Sequence, residues 1–332
     1  MEAALELLNR LPGLPVLCVG DVMVDLYIYG QAHRISPEAP VPVVRVTRRF
    51  LAPGGAGNVV KNLGALGAAP RAVCLTGDDA WADELGRLFK ASGLGEQVFI
   101  RDAARPTSVK TRIIAGIQQV VRFDEEDDRP LDGRRAEELL AAVRAALPEV
   151  RAVALSDYGK GCLTDEVLRA ILDLARAAGR PVVVDPKGRD YGRYRGAALV
   201  TPNRQELAEA AGRPVAATAG ELESAGREVM AACGLTALLV TRSEDGMMLL
   251  EEGAEPVFLP SQAREVFDVS GAGDTVVAVM AAALALDAPL AVGARLANLA
   301  AGVVVGKVGT AAAAPGEIRA WAEEGGPPGG CC

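Results

Sequence analysis

Asp274 stands in the stretch Val266-Phe-Asp-Val-Ser-Gly-Ala-Gly-Asp-Thr275, directly after the small-residue turn Gly271-Ala272-Gly273. An apolar run from Thr275 to about Leu286 follows and predicts a helix. Small residues at a helix start leave backbone N–H groups uncovered. With the positive end of the helix dipole, those groups form an anion site. A carboxylate among them opposes an anion, unless it takes a proton from a hydroxyl while the amides hold the phosphoryl group under attack. The same residues also fit an ordinary helix N-terminus with an acidic first turn. Val266 and Phe267 read as the end of an apolar strand feeding the turn.

Other groups could share the work. Pro53-Gly-Gly-Ala-Gly-Asn58 offers glycines that permit close backbone approach, and an Asn that serves either as a ligand or as a helix cap. Asn203 and Glu206 lie one helical turn apart. They could hold a water-coordinated Mg²⁺, and they equally form a capping box. Lys110, Arg112, Arg122, Lys160, Lys187 and Arg189 fall at strand ends or on a predicted hairpin. Converging, they would suit a second phosphate; taken singly they are ordinary surface charges. His33 is the sole histidine, so histidine-rich metal sites are excluded, a Ser/His/Asp triad is disfavoured, and Asp or Glu is favoured as the general base. There is no G-x-x-x-x-G-K-[ST], and no G-x-G-x-x-G after the first strand, which leaves Gly271–Gly273 as the anion site.

A scaffold must bring these residues together. The chain has 332 residues, half of them hydrophobic and 4% aromatic, enough for one large α/β domain or two unequal ones. A net charge of −8 argues against a nucleic-acid partner, because neutralising phosphates takes a basic face. Cys18, Cys74, Cys162 and Cys233 form no C-x-x-C pair and read as small core residues; Cys331 and Cys332 fall in an expected flexible tail, 326–332. No signal-peptide pattern opens the sequence, and its longest apolar run is too short to span a bilayer. A cytoplasmic protein with no membrane partner is expected.

Periodicity predicts a helix at 2–10, a buried strand at 16–19, and a second strand leaving it over 22–29. The proline-rich segment 34–45 reads as an edge strand, so that 25–47 belongs to a small sheet outside the main one. A hairpin over 107–123, turning near Ala115-Gly116, is its natural partner. Helices at about 58–66, 79–91, 132–146, 164–178, 203–211, 275–286 and 290–306 alternate with strands at 72–75, 152–155, 182–184, 197–200, 247–250 and 256–259. This rhythm predicts an α/β fold with a doubly wound, mostly parallel sheet flanked by helices, and the small β-sheet as a lid. Strand ends of such a sheet carry the chemistry; here they are 156–161, 185–187, 201–206 and 241–246.

In this order, Pro53–Asn58, Thr201-Pro-Asn-Arg-Gln-Glu206 and Asp268-Val-Ser-Gly-Ala-Gly-Asp-Thr275 resemble the ribokinase-like (PfkB) family of sugar kinases, over residues 12–323. Three further stretches resemble its heptose 7-phosphate kinase branch. They are Gly20–Asp25 with Arg34–Val44, Val109–Arg112 with Gln118, Gln119 and Arg122, and Ser156–Gly161 with Val184–Gly188. The resemblance implies ATP-dependent phosphorylation of the 1-hydroxyl of D-glycero-β-D-manno-heptose 7-phosphate, toward ADP-heptose and the lipopolysaccharide core. It implies one kinase domain over 1–325, with a lid from about 25–47 and 107–123.

The same resemblance implies roles. Asp274 is the base, and the amides of Gly271, Ala272 and Gly273 stabilise charge on the γ-phosphoryl group. Asn203 and Glu206 belong to the ATP–Mg²⁺ region. Thr241, Ser243 and Gly246 line the nucleotide loop, with Asn298 near the adenine. Asp25, Gly54, Gly55 and Asn58 hold sugar hydroxyls; Lys110, Arg112, Arg122, Lys160 and Lys187 are candidates for the 7-phosphate. Asp268 and Ser270 match a region where some relatives bind a monovalent cation such as K⁺, although Ser270 departs from the common Thr. The branch often carries a C-terminal nucleotidyltransferase; the sequence has no H-x-G-H, so the stand-alone kinase form is expected. The expected partners are a sugar phosphate, ATP and a second copy joined through the small sheet. Two other readings are a kinase of another sugar or sugar phosphate, and a non-catalytic nucleotide- or sugar-binding module, which would have no need of Asp274.

Overall fold

The computed structural model of the chain describes residues 1–95 and 97–324; the expected tail at 326–332, with Cys331 and Cys332, lies outside them. Helix α1 (Glu2–Leu7) leads into β1 (Pro15–Ile35), which turns back as β2 (Pro42–Gly55). Then come α2 (Ala56–Ala65), β3 (Ala69–Gly77), α3 (Ala80–Ala91), β4 (Val98–Asp102) and the hairpin β5 (Ser108–Ala115) and β6 (Gln118–Glu125). The middle of the chain is α4 (Gly133–Ala146), β7 (Ala152–Ser156), α5 (Asp165–Ala177), β8 (Val182–Asp185), β9 (Leu199–Val200), α6 (Arg204–Ala210) and α7 (Ala219–Cys233). It closes with β10 (Ala237–Thr241), β11 (Met247–Glu251), β12 (Val257–Leu259), α8 (Ala272–Ala285), α9 (Leu290–Val305) and α10 (Pro315–Glu323).

The main sheet runs in the order β12-β11-β10-β9-β8-β7-β1-β3-β4. It is parallel except for β11 and β12 at one edge. Alternation along β1 sends Val16 and Cys18 to the layer of α1, α2, α8 and α9, and Leu17 and Val19 to the layer of α4, α5 and α7. Cys74 and Cys162 are buried too, while Cys233 is half-buried. Helix α8 is apolar on every side and buried along nearly its whole length, as a helix sandwiched between sheet and helices must be. Among the described residues no helix is long and apolar enough to cross a membrane.

β1 belongs to two sheets. Residues 15–21 sit between β7 and β3 in the main sheet. From Val22 onward the strand pairs antiparallel with β2, and over 23–30 it pairs parallel with β5, which in turn pairs with β6. The separate strand expected at 22–29 is therefore the continuation of the first. Gly20, at a φ of 157°, keeps the backbone nearly extended through the junction.

Two further expectations change near the catalytic stretch. Val266 and Phe267 end no strand: both are largely exposed, and the Phe267 N–H donates to Val305 O on α9. Helix α8 starts one turn earlier than expected, because Gly271 adopts a left-handed φ of 81° and becomes its N-cap. Asp274 is thereby inside the first turn. Strand β4 and helices α7 and α10 were not expected from periodicity.

Candidate active site

Asp274 is 4% exposed and both its carboxylate oxygens are occupied. Asn58 Nδ2, from the first turn of α2, donates to Oδ2 at 2.8 Å; the Tyr158 hydroxyl, from the loop after β7, donates to Oδ1 at 2.9 Å. Asn58 is a fully buried ligand of this carboxylate, and Gly55 takes the cap position of α2 instead. Helices α2 and α8 are tied again one turn on, where the Thr275 hydroxyl donates to Asn62 Oδ1 at 2.9 Å. Burial pushes the Asp274 carboxyl up to about 7; the bonds from Asn58 and Tyr158 pull it back, and the negative charge of Asp25 adds to the rise. A group with that proton affinity is poised to accept a hydroxyl proton near neutrality.

The turn before Asp274 has no room for a larger residue. A Cβ at Gly271 would lie 2.4 Å from Asn58 Nδ2, and the residue's φ is left-handed. Gly271→Ala is expected to displace Asn58 from Asp274 and lower kcat about tenfold or more, with backbone strain of about 1–3 kcal/mol. An unchanged kcat would show that this contact is dispensable.

A cavity of about 360 Å³ opens beside the first turn of α8. Ala272, Gly273, Asn203, Thr241, Ser243, Gly246 and Asn298 line it. Asn298 is 6% exposed and anchors the rim by donating to Pro260 O at 2.7 Å. A smaller cavity of about 150 Å³ shares Asn203, Thr241 and Gly273 and adds Tyr158, Asp185, Lys187 and Glu206. A larger groove, about 720 Å³, lies around Ala69–Val73 and holds none of the candidate residues. Asn203 and Glu206 do form the capping box of α6, with reciprocal bonds of 2.9 Å. Lys187 Nζ stands 3.7 Å from Glu206 Oε1, whereas the other four candidate cations pair with Asp25, Asp124 or Glu126.

Those four converge on the small sheet. Arg112 donates to Asp25 Oδ1 at 2.5 Å, and Asp25 is 3% exposed. Lys110 bonds Asp124 at 2.9 Å and Glu126 at 3.1 Å; Arg122 bonds Asp124 through two nitrogens; Lys160 reaches Glu126 at 2.6 Å from the loop that carries Tyr158. Gly54 makes this packing possible, since a Cβ there would lie 2.4 Å from Asp25 Oδ2. Gly55 approaches the Asp21 carbonyl at a positive φ. Asp268 accepts the N–H groups of Ser270 at 2.9 Å and Gly309 at 3.0 Å, so its carboxylate ties two loops together. Tyr158 and Asp21 had no place among the expected site residues, although both sit at ends of predicted strands. Asp21 accepts backbone N–H groups from Tyr158, Lys160 and Cys162.

The sequence profile described as pfkB family carbohydrate kinase matches residues 15–316. The chain is 50% identical over 318 residues to the bifunctional protein HldE of Rhodospirillum rubrum, and 50% identical over 305 residues to that of Azotobacter vinelandii. These matches cover 96% and 92% of this chain but 64% and 63% of the two relatives, so the chain spans less than two thirds of their length. Among solved structures it is similar to phosphofructokinase-2 from Escherichia coli in complex with potassium (TM-score 0.75, 19% identity, covering 94% of this chain and 99% of that one). It is also similar to Arabidopsis thaliana ribokinase complexed with ribose and ATP (TM-score 0.69, 19% identity, covering 93% and 98%). Identities this low speak to the ribokinase-like fold. Taken with the match from residue 15 to residue 316, they leave one conclusion: the chain belongs to the pfkB family of carbohydrate kinases.

Proposed function

We propose that the protein transfers the γ-phosphoryl group of ATP to the 1-hydroxyl of D-glycero-β-D-manno-heptose 7-phosphate, giving the 1,7-bisphosphate on the route to ADP-heptose and the lipopolysaccharide core. The observation that carries the substrate class is the convergence of Lys110, Arg112, Arg122 and Lys160, all four paired with Asp25, Asp124 or Glu126. A phosphate dianion satisfies such a cluster better than a neutral sugar does. The heptose itself rests on the motif resemblance and on the similarity to the HldE proteins.

In this reading Asp25, Asn58 and the Gly54–Gly55 backbone orient the sugar. Asp274 takes the proton of the attacking hydroxyl, and the Gly271–Gly273 amides stabilise the charge of the transferred group. The 360 Å³ cavity takes the nucleotide, with Asn298 on its adenine side and Thr241, Ser243 and Gly246 along it. Lys187, beside Glu206, faces the nucleotide phosphates. Asn203 and Glu206 would hold a magnesium ion, which would supply charge neutralisation for the nucleotide phosphates. Glu206 has Oε2 committed to its capping bond and Oε1 outside that bond, and both it and Asn203 line the 150 Å³ cavity, so the pair fits a magnesium held through water. Asp268 and Ser270 would adjoin a monovalent cation such as K⁺.

The small sheet, about 25–47 and 107–123, acts as a lid that excludes water during transfer. Its outward face exposes Val121 and Phe123 on β6. A second copy of the chain covers that face, and light scattering should give twice the mass of one chain. A monomer mass would remove the dimer from this account. The substrate is tested by a panel of sugars and sugar phosphates assayed with ATP and Mg²⁺. The highest kcat/KM is expected for heptose 7-phosphate; a better rate on another sugar would replace it.

A further inference from the structure

Tyr158 is a half-buried residue that the transfer scheme above leaves idle. Its hydroxyl donates to Oδ1 of Asp274 at 2.9 Å. The backbone that carries it is fixed from two sides. The Asp21 carboxylate, 2% exposed, accepts the N–H groups of Tyr158 at 2.9 Å, Lys160 at 3.0 Å and Cys162 at 3.1 Å. Arg105, 8% exposed, donates to Lys160 O at 3.0 Å and Arg129 O at 2.7 Å. Gly161 adopts a φ of 88°, and a Cβ there would lie 2.0 Å from Arg129 O. The loop has no slack, so the phenol arrives at one place.

We propose that Tyr158 is the positioning residue of Asp274: held by the Asp21-anchored loop, its phenol locks the carboxylate against rotation, together with Asn58 on the other oxygen, and keeps it ionised for proton abstraction. This rests on the reading of Asp274 as the base. Each carboxylate oxygen keeps one lone pair for the substrate proton. Burial raises the proton affinity of Asp274, and the Tyr158 bond opposes that rise. Burial and the Asp274 charge push the phenol itself well above the usual tyrosine range, so it stays a donor. The other titratable groups facing the pair are Asp25 and Cys18 of β1 and Asp185 of β8, with Arg112 neutralising Asp25.

The test compares kcat/KM against pH for the wild type, Tyr158→Phe and protein carrying 3-fluorotyrosine at 158, with Asp274→Asn alongside. Titration of the nucleotide and sugar phosphates is common to all and cancels in the comparison. Tyr158→Phe is expected to lower kcat about tenfold at neutral pH, to leave the ATP dissociation constant within about twofold, and to move the acid limb up by about one pH unit. The more acidic fluorophenol, with its packing retained, moves the limb down and decides the matter if the Phe variant does not fold. An unmoved limb in both overturns the proposal, even if the rate falls. A fully active Asp274→Asn overturns the base reading and this proposal together. An inactive Asp274→Asn with unmoved limbs removes Tyr158 alone.

Discussion

Asp274→Asn is expected to bind ATP like the wild type and to lose about 100-fold or more in turnover. The amide is nearly isosteric but takes no proton, and it can accept from only one of the two donors, Asn58 and Tyr158, that hold the carboxylate. The 360 Å³ cavity proposed for the nucleotide is lined by Ala272, Gly273 and Val276 of α8 and not by Asp274, so isothermal titration with ATP should see little change. The wild type supplies an independent sign. With Asp274 pushed up to about 7, kcat/KM falls as pH drops through that value, because the protonated acid cannot act as a base. Stability runs the opposite way. Between the unfolded carboxyl value near 4 and the folded value near 7, the folded state binds the extra proton, so this residue's contribution to stability falls as pH rises through the window. Asp274→Asn deletes that slope, and its melting temperature should change less than the wild type's between pH 5 and pH 8. Turnover within about twofold of wild type would refute the base assignment.

The second large effect is in substrate binding. Arg122→Ala should raise KM for the sugar phosphate by about 10- to 100-fold, the range of a lost charge-assisted hydrogen bond, and leave KM for ATP within about twofold. Arg122 is the cleanest probe of the cluster. Its side chain is half-exposed and its partner Asp124 keeps Lys110, so removal strands no buried charge. Arg112 is a poorer choice: among the described residues it alone forms an ion pair with the buried Asp25, and its loss would leave that carboxylate without its ion-pair partner at a cost of about 3–5 kcal/mol. Equal weakening of ATP and sugar phosphate in Arg122→Ala would argue against a substrate-phosphate role.

Much of this architecture is legible locally. The 107–123 hairpin turns where Gly116 supplies a positive φ, and the β-α alternation of 132–200 survives to within a residue or two at each boundary, with the strand expected at 197–200 shortened to Leu199–Val200. What sequence could not show is where distant elements meet. The break expected between residues 19 and 22 falls where β1 leaves one sheet for another, but nothing in 15–35 shows that the strand runs through it unbroken, because pairing partners decide that. Val266 and Phe267 look like core and are exposed; apolar character predicts burial only statistically. Helix α7 did carry a start signal, Thr218-x-x-Glu221, but Gly220 and Gly226 dilute its periodicity. Asn58, Tyr158 and Asp274 come from three distant segments, and only the fold sets two donors on one carboxylate. Lys187 matches the other cations in type; its proximity to Glu206 is what separates it from them.

The central claim is a chemical transformation, and ³¹P NMR of the product follows it directly. Incubated with ATP, Mg²⁺ and D-glycero-β-D-manno-heptose 7-phosphate, the protein should convert ATP to ADP while a second sugar phosphorus signal appears, coupled to the anomeric proton, and Asp274→Asn should produce neither. ADP without a new sugar phosphate, or a new phosphate on a carbon other than C1, would contradict the account.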